Sequence, residues 1–375
     1  MSAKRNGSVA TTARRAVLLL AFVFVLEYLV LPQLAAARRS FSTLGEVDVS
    51  LLIAAVLAEV ASVLSYAQLT RSVLAGANAP SLLRTAQIQL VTLAVSHLVP
   101  GGSAAGSGLG VKLLTDEGVS SEDAAYAIGI QSLGSAVVLN VMLWIALVVS
   151  IPIHGYNPLY LTAAIAGVVV LGIFFAIVIG LTRGEARTTR ILRSISRRIP
   201  FLNEDKVHRA VHQVARRLRT LLADRPLLLR AVGWAAANWL FDAACLWIFL
   251  AAFGDSVDPV SLLVAYCLAY VVAAIPITPG GLGVVEAILT ASLVGFGVTR
   301  SVAVVGVVAY RLVNFWLPIP AGALAYASLR AGVGKRPTRT ESAKELALHA
   351  AADREDAKTW ADRHGVEVGH KADEG

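Results

Sequence analysis

Eight apolar runs, at 16–37, 47–70, 82–99, 121–150, 159–181, 227–253, 259–276 and 300–329, approach or exceed the length that crosses a hydrocarbon core. A spanning helix needs about 20 predominantly apolar residues. A chain carrying so many such segments has lipid as its main solvent. Only 15% of its 375 residues are charged and 56% are hydrophobic, whereas soluble domains carry about 25% charged residues. The alternating segments of about ten residues that build membrane β-barrels are missing. The expected fold class is therefore an all-α polytopic membrane protein.

The basic residues fix an orientation. The connection 182–226 holds twelve Lys/Arg against Glu185, Glu204, Asp205 and Asp224, and basic connections stay on the cytoplasmic side. The N-terminal tail 1–15, with Lys4, Arg5, Arg14 and Arg15, belongs there too. That tail and the following run, ending in Ala35-Ala36-Ala37, imitate a secretory signal. The run is long for a signal core and contains Glu27, so a retained first helix is expected. The net charge of +8 reflects this topology and is no sign of nucleic-acid binding.

If every run crossed once, five crossings would put the two basic segments on opposite sides. Treating 82–118 as a returning hairpin leaves four crossings and places both inside. The same treatment of 259–297 puts the tail after Arg330 inside as well, with the first hairpin opening to the cytoplasm and the second to the exterior. Arg38, Arg39 and Arg300 lie outside in this scheme and count against it. The segment 331–375 is expected to be a disordered cytoplasmic tail, too short for a catalytic domain, after a membrane domain over 16–330.

Both hairpins carry a Gly/Pro-rich break, VPGGSAAG near 100 and IPITPGGLGVVE at 275–286. Placing PGG at 100–102 over PGG at 279–281 sets an offset of 179, which also aligns Gly118-Val119-Ser120 with Gly297-Val298-Thr299. Together with the topology, this reads as two inverted repeats, each with a broken, re-entrant hairpin. Inverted repeats with interrupted helices are the recurring plan of alternating-access transporters.

Backbone that leaves the helix within a bilayer survives only when buried in protein or lining a wet cavity. The helix N-termini so created favour anions. Gly101, Gly102 and Gly106 are assigned to the first break, and Gly280, Gly281 and Gly283 to the second; they serve either close approach of a ligand or tight packing of the arms. Ionisable residues inside the apolar runs add the chemistry: Glu286 one turn beyond the second break, Lys112 in the returning arm of the first, Arg311, and Asp242. Such groups usually pair or face a cavity, and Glu286 with Arg311 is the expected pair. His97, Asn314, Glu59, Gln87 and Gln89 are further cavity or packing candidates. Trp234, Trp239, Trp247 and Trp316 suit interface anchoring or packing. Cys245 and Cys267 suit buried helix packing, and nothing in the sequence implies a metal, a nucleotide or another cofactor.

The stretches PGGSAAGSGLGVKLL at 100–114, NWLFD at 238–242, PITPGGLGVVEAIL at 276–289, and YRLVNFWLP followed by Gly322 resemble the flippase-like integral membrane family that includes the membrane region of bacterial lysylphosphatidylglycerol synthases. The resemblance covers about 47–330. Pro279, Gly280, Gly281, Gly283, Glu286 and Arg311 match the family pattern, and Lys112 stands where a basic residue is usual. The resemblance implies movement of an anionic, aminoacylated or polyprenyl-linked lipid between leaflets for cell-envelope assembly, in a bacterial or archaeal plasma membrane. No soluble aminoacyl-transferase domain follows residue 330, so lysyl-lipid synthesis by this chain is not expected.

The reading that results is a lipid translocase rather than an enzyme. Arg311, Lys112 and the amides at the breaks receive an anionic headgroup, and Glu286 orients the arm. The expected partners are a membrane lipid and, from the resemblance, envelope-biosynthesis proteins. The alternatives are an integral-membrane lipid or glycosyl transferase with Asp242 or Glu286 as base, and a scaffold using the basic loop on anionic lipid.

Overall fold

The computed structural model describes residues 48–74, 79–99, 102–154, 160–169, 171–172, 224–274 and 278–333. The first expected span at 16–37, Pro100 and Gly101, most of the basic loop 182–226 and the tail beyond 333 lie outside the described residues. All regular structure among those described is helical. In chain order the helices are α1 (Val49–Leu74), α2 (Leu82–Leu98), α3 (Gly102–Asp116), α4 (Ser121–His154), α5 (Tyr160–Val169), α6 (Arg225–Ala252), α7 (Pro259–Ala273), α8 (Val284–Gly295), α9 (Arg300–Arg311) and α10 (Pro318–Val333). A 3₁₀ turn at Pro279–Gly281 precedes α8, and one π turn at Leu312–Trp316 joins α9 to α10. The chain divides into compact units at Tyr326, and the described part of the second is the end of α10.

Length sorts these helices. Four stretches are long and apolar enough to span: Val49–Leu74, Ser121–Ile153, Arg225–Ala252 and Arg300–Ala331. At about 1.5 Å per residue, the 26 residues of α1 reach further than the ~30 Å core. The arms α2, α3, α7 and α8, of 17, 15, 15 and 12 residues, extend only about 18–26 Å by the same rise. Apolar side chains left bare, such as Ile53 and Leu57 on α1 and Ile145 and Val148 on α4, are the surface that lipid solvates.

Local chemistry sets the helix ends. Asp258 accepts from the Val260 and Ser261 amides at 3.0 Å with Pro259 in the first turn, and Asp224 caps α6 through Leu227, as expected for N-caps. Beyond α3, Gly118 has φ 96° and the Val119 amide reaches back to the Leu114 carbonyl at 3.1 Å. Beyond α8, Gly297 has φ 95° and the Val298 amide reaches the Leu293 carbonyl at 3.0 Å. Each is a left-handed glycine cap that an L side chain fits poorly, and the two are 179 residues apart. A third of the same kind closes α6 at Gly254.

The glycine-rich stretch after Pro100 departs from the sequence expectation. Residues 102–110 are regular helix, so Gly102 and Gly106 belong to α3 rather than to a break. A Cβ at Gly102 would collide with the Ser96 carbonyl, one at Gly106 would sit 2.6 Å from the Thr92 carbonyl, and one at Gly110 would sit 3.1 Å from Thr92 Oγ1. Glycines at every fourth position thus let α3 lie directly on α2. Close backbone approach through small residues offsets their poor helix propensity. Gly322 does the same for α10 on α2, where a Cβ would lie 2.6 Å from the Leu90 carbonyl.

The main core joins α4 and α5 to α6, α7, α8 and α9, with Leu246, Leu250, Tyr266, Val285, Leu289 and Tyr310 fully buried. A smaller cluster seats α1 on α4 and α6. A buried triad, Thr70, Gln89 and Gln131, ties α1, α2 and α4 together: Gln89 Nε2 donates to Thr70 Oγ1 at 2.8 Å, and Thr70 Oγ1 to Gln131 Oε1 at 2.6 Å. Cys245 and Cys267 are buried and unpaired, as packing thiols should be.

Candidate functional site

At the second break the chain leaves helical geometry because three glycines allow it. Gly280, Gly281 and Gly283 have φ of 55°, 70° and 80°, a region that favours glycine. Space at Gly280 is equally restricted, since a Cβ there would collide with the Phe315 ring and lie 3.1 Å from His97. The 3₁₀ turn therefore packs against the end of α2 and the π turn, and the two hairpins meet at this point.

Glu286 and Arg311 hold the turn in place. Arg311 Nε donates to Glu286 Oε1 at 2.7 Å, and Nη2 donates to the Gly280 carbonyl at 3.3 Å. The other oxygen, Glu286 Oε2, accepts from the Gly283 amide at 2.7 Å. One carboxylate thus caps α8 and pairs with the arginine, while the arginine also satisfies a carbonyl that the break has freed. The guanidinium lies 4.5 Å over the Phe315 ring. His97 stacks on that ring at 4.1 Å, and its Nδ1 donates to the Phe315 carbonyl at 2.9 Å. Arg311 is 2% exposed, yet Gly280 and Gly283 beside it are exposed.

A second polar cluster lies behind the first. Asp242 on α6 is buried and accepts three hydrogen bonds: from Tyr266 at 2.5 Å, from Tyr310 at 2.9 Å and from Asn314 Nδ2 at 3.0 Å. Asn314 Nδ2 is also 3.4 Å from Glu59 Oε1 on α1, and the Tyr270 hydroxyl hydrogen-bonds that of Tyr310 and lies 3.1 Å from Asn314 Oδ1. The π turn connects the clusters, because Tyr310 and Asn314 face Asp242 while Arg311 and Phe315 face the break. Leu317 closes it by an i→i+5 bond to Leu312, and Pro318 and Pro320 lack amides for the next turn. Wide turns of this kind recur at functional sites.

The structure thus gathers Arg311, Glu286, Gly280, Gly281, Gly283, His97, Asp242 and Asn314. It leaves Lys112 exposed on α3, with no hydrogen bond or ion pair to this network among the described residues. Gly102 faces Ser96, and Gly101 lies outside the described residues. Trp239 packs edge-on to Tyr266 and donates to the Ser135 carbonyl at 3.0 Å, a packing role. Nothing in the sequence distinguishes Tyr266, Tyr270 and Tyr310. Within an apolar run a tyrosine reads as packing, and only the carboxylates on neighbouring helices reveal what the hydroxyls do.

Four long apolar helices with bare apolar faces, and short paired arms packed among them, define a multi-pass α-helical membrane protein. The family description "Lysylphosphatidylglycerol synthase TM region" matches residues 11–322, and the chain belongs to that family. It is 25% identical over 237 residues to a UPF0104 membrane protein of Methanothermobacter thermautotrophicus, covering 61% of this chain and 70% of the relative. It is 24% identical over 319 residues to UPF0104 membrane protein PH1989 of Pyrococcus horikoshii, covering 82% and 95%. The inner membrane protein YbhN of Escherichia coli is 24% identical over 132 residues, 35% of this chain and 41% of the relative.

Proposed function

We propose that the chain is a lipid translocase whose substrate headgroup is received at the second break. The observation that carries this reading is Arg311, a buried cation whose partners are the Gly280 carbonyl in a glycine-made turn and Glu286 in the first turn of the helix that follows it. A charge in the membrane interior costs about 2.5–3.5 kcal/mol or more, so it is retained for a purpose. An anionic phosphate offers the guanidinium the same paired oxygens as a carboxylate. The headgroup displaces Glu286, the turn at Gly280–Gly283 swings, and the exposed amides of the turn complete the anion site.

The matched caps at Gly118 and Gly297, the contact between the hairpins, and the charge pattern support two inverted, re-entrant repeats. Rocking of one repeat against the other then moves the headgroup across. The family name, with its lysylated phospholipid, supports a phospholipid-type ligand. On this reading the protein sits in a bacterial or archaeal plasma membrane with both termini cytoplasmic.

Purified protein in liposomes with leaflet-selective fluorescent lipids tests this. The wild type exchanges an anionic phospholipid, and Arg311→Ala and Glu286→Gln slow the exchange tenfold or more. Exchange at the wild-type rate in both variants would remove the site, and conversion of a lipid-linked donor to product without exchange would make the chain a transferase.

A further inference from the structure

The lipid site uses Glu286 and Arg311, and it leaves unused a second pair of carboxyl groups deeper in the helices. Glu59 on α1 and Asp242 on α6 are 6% and 4% exposed. The two carboxyls face one donor, Asn314 Nδ2, which lies 3.4 Å from Glu59 Oε1 and 3.0 Å from Asp242 Oδ1. Asp242 has three donors, from Tyr266, Tyr310 and Asn314. Glu59 has only the 3.4 Å contact from Asn314 Nδ2 to Oε1, and its Oε2 is buried with no hydrogen-bond partner among the described residues.

Two ionised carboxylates cannot bond to one another, and like charges so placed in a dry site repel. A single proton removes both problems. It supplies Glu59 with the donor that the helices omit, and it turns a repulsive contact into an O–H···O bond.

The surroundings suit a proton rather than a metal ion. α6 contributes Asp242 and the Cys245 thiol, α7 the hydroxyls of Tyr266 and Tyr270, and α9 Tyr310 and the Arg311 cation, whose charge reaches Asp242. The side chains that α2 and α4 place against α1, Gln89 and Gln131, are neutral amides tied to Thr70. Two of the hydroxyls and the Asn314 amide already donate toward Asp242, so its oxygens are turned to hydrogen donors. Asn314 touches both carboxyls and stands in the same π turn as Phe315, on which Arg311 and His97 rest. A change in the charge of the pair is thereby passed to the Arg311–Glu286 turn through one element.

We propose that Glu59 and Asp242 form a proton-binding site that couples the transport cycle to a proton gradient. The proton comes from water at one face, bonds to a carboxyl oxygen of the pair, and returns to water at the other face, with no redox change. This inference rests on the translocase reading for its coupling, while proton binding itself does not.

Infrared difference spectra of the full-length protein in nanodiscs, taken between mildly acidic and mildly alkaline buffer, read the site directly. The wild type shows a protonated-carboxyl carbonyl band that shifts in heavy water, and Glu59→Gln removes it. In liposomes, an imposed proton gradient changes wild-type lipid exchange severalfold, and Glu59→Gln and Asp242→Asn abolish that dependence. The wild-type measurements decide the matter should either variant misfold. A missing band overturns the proposal, as does exchange that ignores the proton gradient or follows a sodium gradient instead. The band without exchange of any lipid would leave the proton site standing and sink the translocase.

Discussion

The hairpin α2–α3 and the hairpin α7–α8 carry the same Pro-Gly-Gly between their arms and end in the same Gly-Val cap, yet they solve opposite problems. In the first, glycines at 102, 106 and 110 lie inside a regular helix and remove side chains from a helix–helix contact. In the second, glycines at 280, 281 and 283 take left-handed conformations and break the helix. Among the described residues, the arms of the first hairpin are held together by close backbone packing. The second frees backbone groups, and a charged pair satisfies them. Packing is stiff, whereas a charge-satisfied turn has an alternative partner in any anion, so on the proposed translocase reading the moving part is the second hairpin.

The largest effect is expected where the charge pair is halved. Arg311→Ala leaves Glu286 and the Gly280 carbonyl without their partner, and breaking a buried pair costs about 3–5 kcal/mol, toward the low end because Glu286 is 14% exposed. Thermal unfolding in detergent measures it. The double variant Arg311→Met with Glu286→Gln regains part of the loss while lipid exchange stays at least tenfold slowed. A silent Arg311→Ala would erase the contrast between the hairpins.

The glycines come next. Gly106→Ala forces its methyl onto Ser96 and Thr92, and overpacking costs about 1–3 kcal/mol. Gly108, on the same helix with open space around it, gains about 1 kcal/mol as Ala from propensity. Opposite signs two residues apart, read by melting temperature, are the signature of a packed helix; equal losses would mean that 102–110 is a break after all.

A smaller effect is expected at the loop where α9 begins. The Thr299 amide donates to Asp255 Oδ2 at 2.8 Å and, as the chief cause, holds its pKa below the ordinary carboxylate value. A group lowered on folding contributes fully above its unfolded pKa and loses that contribution as pH falls through the folded one. Acid should therefore loosen this loop in the wild type, as read by amide hydrogen exchange, and Asp255→Asn should remove the pH dependence.

Much of this was legible in the sequence, for physical reasons. Charges inside apolar runs are costly enough to stand out, so Glu286, Arg311 and Asp242 were found, and the Glu286–Arg311 pairing followed from their positions. Sequence alone puts Gly102 and Gly106 in a break because a glycine that loosens a helix and one that tightens a helix pair are the same letter. The π turn leaves no compositional trace, since its shift of one residue is decided by which carbonyls lack donors. Glu59 and Asp242 lie about half the chain apart, and their proximity needs the packing of α1 on α6.

In the proposed inverted arrangement the two hairpins enter from opposite faces. Ser121 and Arg300, both exposed, open the helices that follow the first and second hairpin and are 179 residues apart. With Cys245 and Cys267 buried, single Ser121→Cys and Arg300→Cys variants can be labelled in sealed vesicles of known orientation with a membrane-impermeant maleimide. Labelling of position 121 only from the cytoplasmic side and position 300 only from the exterior is the predicted result. Labelling of both from the same side would contradict it.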